Sequence, residues 1–274
     1  MKAAGQHFVK ARPGDAWRLY TIADVHLGNN GCAEDSFARY VERIRRDPRG
    51  LWIGIGDYID AISYRDKRFS PDALPPWIKP PDLARLGERL FAYFAHCVKP
   101  IAGKCIGIAW GNHEWQLMHD TEGHDRWDRL VNGLGVKDLG IAALIDLVFD
   151  LGGCRREKFR IAVHHGRGAA MTPGGKLNAM RQFAVETFPR CDIMISGHIH
   201  EALDTDVCGV DADEKCERII DCTRLAVSAG TFLRTYTQDF VGYGERKGYR
   251  PTSLGNTVIV IDPATRSLGT ERPR

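Results

Sequence analysis

The sequence predicts an α/β fold in which two packed mixed β-sheets are flanked by helices, an αββα sandwich with a metal site at the carboxyl ends of its strands. Three observations predict it. Short apolar runs end in polar motifs, amphipathic segments separate the first runs, and short strands without long connecting helices follow residue 200. Since α/β proteins of 274 residues often form one domain, we expect a single domain over 1–274.

Five apolar runs are typical of buried strands, because they are rich in β-branched or bulky residues and each ends at a turn signal. They cover 19–23, 51–55, 106–110, 160–163 and 193–195. If these strands lie side by side in one sheet, their carboxyl ends bring the five following loops to one edge. Open α/β sheets bind ligands at such an edge.

Amphipathic segments predict the connecting helices. Phe37, Tyr40, Val41 and Ile44 recur at i, i+3, i+4 and i+7, which indicates a crossover helix. Further helices are predicted over 82–98, 125–134 and 176–185, and 141–149 is an apolar stretch. Alternating strands and helices predict parallel pairing. The basic cluster that follows, Arg43, Arg45, Arg46 and Arg49, lies at the helix end remote from the strand tips, and we interpret it as a solvated surface.

Two other segments differ from this pattern. The stretches 202–207, 218–221, 225–228 and 257–261 predict a second, largely antiparallel sheet packed on the first. Residues 58–81 mix aromatic, basic and proline residues without helical or strand periodicity, and we expect a loop or small cap above the site. Its aromatic residues either meet a substrate or second subunit, or pin the loop to the body. They are Tyr58, Tyr64, Phe69 and Trp77, interleaved with Arg65, Lys67 and Arg68.

Composition narrows the class of protein. A formal net charge of +3 gives no case for a strongly basic nucleic-acid-binding protein, although nucleic acid stays open as a substrate. No apolar run approaches membrane-spanning length and residues 1–20 hold no signal peptide, so we expect a cytoplasmic protein with no membrane span. We expect the eight cysteines to be reduced thiols. Whether Cys154, Cys208, Cys216 and Cys222 bind a structural metal stays open, because their spacing fits no CxxC pattern.

The five motifs that follow the apolar runs supply the chemistry of a two-metal centre. They are Asp24-Val25-His26, Gly56-Asp57, Gly111-Asn112-His113-Glu114, His164-His165-Gly166 and Gly197-His198-Ile199-His200. An i, i+2 pair at a strand end points both side chains to one side, so one loop can offer two ligands. Carboxylate, imidazole and amide ligands suit Mn²⁺, iron or Zn²⁺. We expect Glu114 to hydrogen-bond the His113 imidazole and fix its orientation.

In order and content these motifs resemble the signature of the calcineurin-like metallophosphoesterase superfamily, which is D-x-H, G-D, G-N-H-[DE], a histidine before glycine, and G-H-x-H. The likeness covers about 20–200, and a looser likeness to phage and bacterial members continues at 228–232 and 243–249. The resemblance implies Asp24, His26 and His200 on one metal, Asn112, His165 and His198 on the other, and Asp57 bridging. It favours His165 over His164 as ligand. It makes His113 either the acid beside the leaving group or a hydrogen-bond donor to the phosphoryl oxygen. It also implies two divalent metal ions, with Mn²⁺ as the first candidate.

The resemblance implies a phosphoesterase, and a phosphodiesterase is our leading interpretation, in which a metal-bridging hydroxide attacks phosphorus and the P–O bond breaks. The expected partner is a phosphate ester, with a nucleotide or nucleic acid as options. The alternatives are a DNA nuclease of the repair type, a nucleotide-sugar-lipid pyrophosphohydrolase and a metal-binding scaffold without catalysis. The sequence does not indicate the oligomeric state.

Overall fold

A computed structural model describes residues 1–60, 71–117, 123–168, 170, 172–213, 215–238 and 241–273. Its strands are β1 (Lys2–Lys10), β2 (Trp17–Ala23), β3 (Gly50–Gly56), β4 (Cys105–Ala109), β5 (Asp138–Gly140), β6 (Ala142–Asp150), β7 (Arg156–His164), β8 (Ile193–Ser196), β9 (Leu203–Ala212), β10 (Ile219–Ser228), β11 (Gly230–Thr231), β12 (Gly255–Asn256), β13 (Val258–Asp262) and β14 (Ser267–Glu271). Its α-helices are α1 (Glu34–Arg46), α2 (Leu86–Val98), α3 (Asn112–Leu117), α4 (Gly123–Leu134), α5 (Pro173–Thr187) and α6 (Tyr243–Arg246). Short 3₁₀ helices cover Pro71–Ala73, Pro80–Arg85 and Lys99–Lys104.

One six-stranded sheet, sheet I, has the order β14-β13-β2-β3-β4-β5. Strands β2 to β5 pair in parallel, while β13 and β14 add antiparallel neighbours beside β2. Helices α1, α2 and α4 connect the parallel strands, as the amphipathic segments predict. In β2, Leu19 and Tyr20 face opposite sides of the sheet and both are buried, because each face is covered.

The second six-stranded sheet, sheet II, has the order β1-β6-β7-β8-β10-β9. Strands β7, β8 and β10 run parallel, whereas β6 and β9 pair antiparallel with β7 and β10. The expectation that all five motif-bearing strands share one sheet is therefore wrong, since β2, β3 and β4 lie in sheet I and β7 and β8 in sheet II. The prediction that 257–261 belongs to the second sheet is also wrong, because β13 pairs with β2 in sheet I.

The layers follow the order helix, sheet, sheet, helix, which confirms the predicted sandwich. The core between the sheets contains Leu19 and Ile53 from sheet I and Ile145, Ile161 and Ile195 from sheet II. A second cluster lies under α1, α2 and α4, and a third joins α5 to the outer face of β8 and β10. Two mixed sheets with both outer faces covered leave their strand ends as the exposed edge where loops can form a site.

The predicted cap over 58–81 is only partly described, and Tyr64, Arg65, Lys67, Arg68 and Phe69 lie outside the described residues. Its described ends pack on the body. Tyr58 is fully buried, its ring stacks on Phe94 at 4.4 Å, and its hydroxyl donates to the Ala109 carbonyl at 2.6 Å. The Trp77 indole donates to Glu34 at 3.1 Å. At Tyr58 and Trp77 the aromatic residues therefore hold the segment to the body.

The surface residues of α1 form ion pairs. Arg45 and Arg46 both bind Glu42, and Arg43 binds Glu271. This agrees with a solvated basic face. Among the described residues, no helix is long and apolar enough to cross a bilayer.

Candidate metal centre

Seven side chains from the predicted motifs lie together where the carboxyl ends of both sheets meet. Sheet I contributes four of them: Asp24 and His26 after β2, Asp57 after β3, and Asn112 after β4. Sheet II contributes His165 after β7 and His198 and His200 after β8. These side chains therefore line a cleft between the strand ends of the two sheets, and both sheets contribute to it.

The first group consists of Asp24, His26 and His200, whose potential ligand atoms all lie within 4.8 Å of one another. His200 Nε2 is 3.2 Å from both Asp24 Oδ1 and His26 Nε2. Two imidazole nitrogens and a carboxylate oxygen converge on one point, an arrangement suited to a first-row divalent ion. Burial and the neighbouring histidines lower the pKa of His26 to about 3, so its imidazole is neutral and can donate a lone pair.

The second group consists of Asp57, His165 and His198, with Asn112 among them. Asn112 Oδ1 lies 3.1 Å from His165 Nε2 and 2.9 Å from His198 Nδ1, and Asp57 Oδ2 lies 3.1 Å from the same His165 nitrogen. The Nδ1 of His165 is 2.9 Å from the Ile55 carbonyl, which fixes the ring with Nε2 toward the cleft.

The backbone at these residues adopts a conformation that non-glycine residues avoid. Asp24, His26, Asp57, His198 and His200 have φ between 49° and 69°, in the left-handed region. Strained backbone of this kind costs of order 1–3 kcal/mol each and persists only where surrounding contacts fix it. At Asp24 the carbonyl accepts hydrogen bonds from the Phe232 amide and the Thr231 hydroxyl, both at 2.9 Å.

Two motif glycines make room for the carboxylates. A Cβ at Gly111 would lie 2.1 Å from Asp57 Oδ1, and one at Gly197 would lie 2.6 Å from Asp24 Oδ2. No side chain fits at those distances. Glycine is therefore required at both positions. Gly111 of the G-N-H-E motif lies against the Asp57 carboxylate, and Gly197 of the G-H-x-H motif lies against the Asp24 carboxylate.

The donor set fits metal ions. Asp24, Asp57, Asp60 and Glu114 are each at most 6% exposed, and among the described residues no lysine or arginine pairs with Asp24, Asp57 or Asp60. Burial opposes charge on His165, but Asp57 beside it raises the pKa of His165 to about 10. Protonated His165 and His113 carry counter-charge for these carboxylates, and divalent ions would supply that charge more fully.

No family model matches the sequence, and no curated protein matches it. Among solved structures, this chain is similar to a conserved uncharacterized protein from Streptococcus pneumoniae TIGR4, described as a predicted phosphoesterase, with 14% identity, a TM-score of 0.33, and 90% of this chain and 84% of that chain covered. A metallophosphoesterase from Sphaerobacter thermophilus shares 11% identity, with a TM-score of 0.42 and coverage of 95% and 89%. NAD nucleotidase from Haemophilus influenzae shares 12%, with a TM-score of 0.43 and coverage of 94% and 49%.

These identities are low, so the roles of individual residues depend on this chain's own geometry. Two mixed sheets with helices on both outer faces carry the five ordered motifs at their common edge.

The two histidines of the fourth motif have different surroundings. His165 is 4% exposed and points toward Asp57 and Asn112. The Nδ1 of His164 instead accepts a hydrogen bond from the Gly166 amide at 2.8 Å, and its ring packs on Phe183. Of the two, His165 therefore lies with the other candidate ligands, and its role as a ligand stays a prediction.

The predicted contact between Glu114 and the His113 imidazole does not occur. The Glu114 carboxylate accepts hydrogen bonds at 2.8 Å from three backbone amides, those of Asp57, Tyr58 and Gly111. A carboxylate that binds the turn after β3 in this way fixes the position of Asp57. Glu114 is thus a positioning residue for the Asp57 turn.

Asp60 occupies the place expected of Glu114 and was missed by the sequence analysis. Its Oδ1 lies 3.1 Å from His113 Nδ1, and Asn29 Nδ2 donates to its other oxygen at 2.5 Å. His26, Asp60 and His113 also form a group within 4.8 Å. The available signal was a carboxylate three residues after Asp57, at the start of the segment that we interpreted as a cap.

The cysteines form no comparable group. Cys154, Cys208 and Cys216 are exposed free thiols and Cys222 is partly exposed, and none belongs to a candidate metal group in the described part of the chain. The structure thus gives no support for a structural metal at these four cysteines.

Proposed function

We propose that this protein is a binuclear metal-dependent phosphoesterase that prefers phosphodiesters. The observation that carries the proposal is the pair of buried ligand groups, Asp24, His26 and His200 beside Asp57, Asn112, His165 and His198. Carboxylate, amide and imidazole ligands without thiolate suit an open catalytic site for Mn²⁺, iron or Zn²⁺. We propose Asp57 as the bridging ligand, because its carboxylate follows the central strand β3 between the loops of β2 and β4.

The preference for diesters follows from the charges around the site. Among the described residues, lysine and arginine form no ion pair with the carboxylates of the centre. A diester carries one negative charge and a monoester close to two at neutral pH, so the monoester needs more positive charge nearby. A site whose cations come mainly from bound ions favours the less charged substrate.

Two bound divalent ions would polarise the phosphoryl oxygens and lower the pKa of a water molecule. The chain's own residues supply position and proton control. His113 is 8% exposed, and burial lowers its pKa while Asp57 and Asp60 raise it to about 9. A protonated His113 can therefore donate to the leaving-group oxygen, with the Asp60 carboxylate 3.1 Å from its Nδ1. Glu114 keeps the Asp57 turn in place.

The testing experiment compares hydrolysis of bis(p-nitrophenyl) phosphate and p-nitrophenyl phosphate by metal-stripped protein, with Mn²⁺, Zn²⁺ or Mg²⁺ added back. We expect turnover that depends on metal and favours the diester. Asp57→Asn should abolish it, whereas Asp211→Asn, the same change on the exposed part of β9, should not. Turnover that persists in Asp57→Asn would overturn the proposal. Absence of metal-dependent turnover with both esters would favour the scaffold alternative.

A further inference from the structure

A pocket of about 220 Å³ lies between α5 and the carboxyl end of β8, on the outer side of sheet II. Its walls include Met180 and Phe183 from α5 and Met194 and Ser196 from β8. Pockets for drug-sized ligands measure roughly 300–1,000 Å³. This one has room for a single ring system and not for a whole nucleotide.

The pocket shares a wall with the candidate metal centre. Gly166 and Gly197 line it, and they are the immediate neighbours of His165 and His198, two of the proposed ligands. A Cβ at Gly166 would lie 2.7 Å from the Gly197 carbonyl, so the two loops touch and form a thin partition. The pocket and the second metal group thus lie on opposite sides of this partition, so a substrate held at the metal group would reach the pocket by crossing it.

The lining is suited to a flat aromatic ring. The Arg167 guanidinium lies 5.2 Å from the centroid of the Phe183 ring, and Met180 and Met194 are apolar and buried. A guanidinium group, an aromatic ring and a methionine thioether can each pack against the face of an aromatic ligand. Ser196 supplies a hydroxyl that is almost fully buried, and its hydrogen bond to the Val227 carbonyl is long, at 3.4 Å. That hydroxyl can bond to a polar ring edge.

Charge adds to this preference. In the described part of the chain, no acidic side chain forms an ion pair with Arg167, which is exposed at the mouth of the pocket. Lys176 also lines the pocket, but it binds Glu201 and the Ile199 carbonyl, both at 3.0 Å. Of the two cationic side chains that line the pocket, Arg167 rather than Lys176 can therefore stack on a ring that enters.

We propose that this pocket binds the nucleobase of a nucleoside phosphodiester whose phosphorus lies at the metal centre. The proposal rests on the proposed function for the position of the phosphorus, and it adds the substrate class. Phe183 and Arg167 are its specificity-determining residues, and Ser196 contacts the polar edge of the base.

The test uses two esters with the same leaving group. Both p-nitrophenyl thymidine 5′-phosphate and methyl p-nitrophenyl phosphate release p-nitrophenolate, so the ratio of their kcat/KM values measures the contribution of the thymidine. Base stacking contributes enough for Phe183→Leu to lower this ratio about tenfold. Arg167→Gln, a change at an exposed residue that folding tolerates, should lower it about threefold. Phe188→Leu is the matched control, because Phe188 packs on Phe183 but does not line the pocket.

A ratio that stays within about twofold in both pocket variants, or that falls as far in Phe188→Leu, would overturn the proposal. Direct binding separates its failure from that of the proposed function. In metal-free protein with ¹³C-labelled methionine methyls, thymidine should shift the Met180 and Met194 signals and leave Met1 unchanged. Such shifts without turnover of any ester would contradict the proposed function and retain the pocket as a nucleoside site. Turnover of both esters at equal kcat/KM, without shifts of the Met180 and Met194 signals, would overturn the nucleoside pocket and leave the proposed function in place.

Discussion

His113 Nδ1 lies 3.1 Å from Asp60 Oδ1 beside the candidate metal centre. Both side chains are buried, at 8% and 6% exposure. The pair links the loop after β3 to the start of α3, so that one carboxylate holds the imidazole that we propose as proton donor.

Replacement of Asp60 by Asn should lower kcat by about 10- to 100-fold, as for other residues that orient a functional imidazole. The change removes one of the carboxylates that raise the pKa of His113 to about 9, so that pKa should fall. Histidine NMR titration of metal-free protein measures the shift, and steady-state kinetics measures kcat. An unchanged pKa with unchanged kcat would show that Asp60 does not act on His113.

Replacement of Glu114 by Gln should destabilise the protein by about 3 kcal/mol, because a charged acceptor of several buried amides is lost and an amide donor takes its place. Urea unfolding of the metal-free protein measures the loss. Glu88→Gln on the exposed face of α2 is the control and should change stability by less than about 0.5 kcal/mol. Equal effects of the two changes would contradict the role given to the three amide contacts.

Replacement of Gly197 by Ala should weaken metal binding at least about tenfold, since the new Cβ would displace the Asp24 carboxylate, and a shifted ligand loses affinity. Competition with a chromogenic chelator measures affinity for Mn²⁺ and Zn²⁺. Gly133→Ala in α4 has open space and should instead stabilise the helix by about 0.5–1 kcal/mol without effect on metal. Wild-type affinity in Gly197→Ala would rule out the steric explanation.

A pH-dependent contribution to stability is expected from Asp146, whose carboxylate binds Arg160 through both oxygens at 2.8 and 3.2 Å. The hydrogen bond to Arg160 holds the pKa of Asp146 below its ordinary value, although burial opposes this. A lowered folded pKa stabilises the protein above the unfolded pKa, and this contribution is lost as pH falls through the folded value.

Asp146→Asn should therefore cost about 1 kcal/mol at neutral pH, a modest value because Arg160 is partly exposed. The difference from wild type should narrow as pH drops below about 4, near the ordinary aspartate pKa. Urea unfolding across this pH range checks the prediction. A difference that is constant with pH would mean that the lost interaction does not depend on ionisation.

The sequence indicated which side chains lie close together better than it indicated which sheet each strand joins. A run such as 19–23 followed by Asp24 and His26 indicates a buried strand and candidate ligands at its end, since both depend on local pattern. The sheet that a strand joins depends on long-range pairing, and the apolar runs at the carboxyl ends of β7 and β8 are of the same kind as those of β2 and β3. Nothing local in β13 distinguishes a partner of β2 from a strand of sheet II.

The sequence also could not predict which side chains contact one another. Glu114 is adjacent to His113 in sequence, but consecutive residues of α3 point in different directions, and the Glu114 carboxylate faces the β3 turn. Asp60 is placed beside His113 by pairing between the loops after β2 and β3, in which the Asp60 amide donates to the Leu27 carbonyl at 2.7 Å. The left-handed φ of Asp24 is likewise accompanied by hydrogen bonds to its carbonyl from Thr231 and Phe232, about 200 residues away in the chain.

Each proposed ion draws ligands from both sheets, with Asp24 and His26 opposite His200, and Asp57 and Asn112 opposite His165 and His198. Such ions would cross-link the two layers of the sandwich at one end. Ligands that bind only the folded state raise its stability by about 2.7 kcal/mol when present at about 100 times their dissociation constant. The melting temperature of this protein should accordingly follow the free metal concentration, and metal starvation should open the sandwich first at this edge.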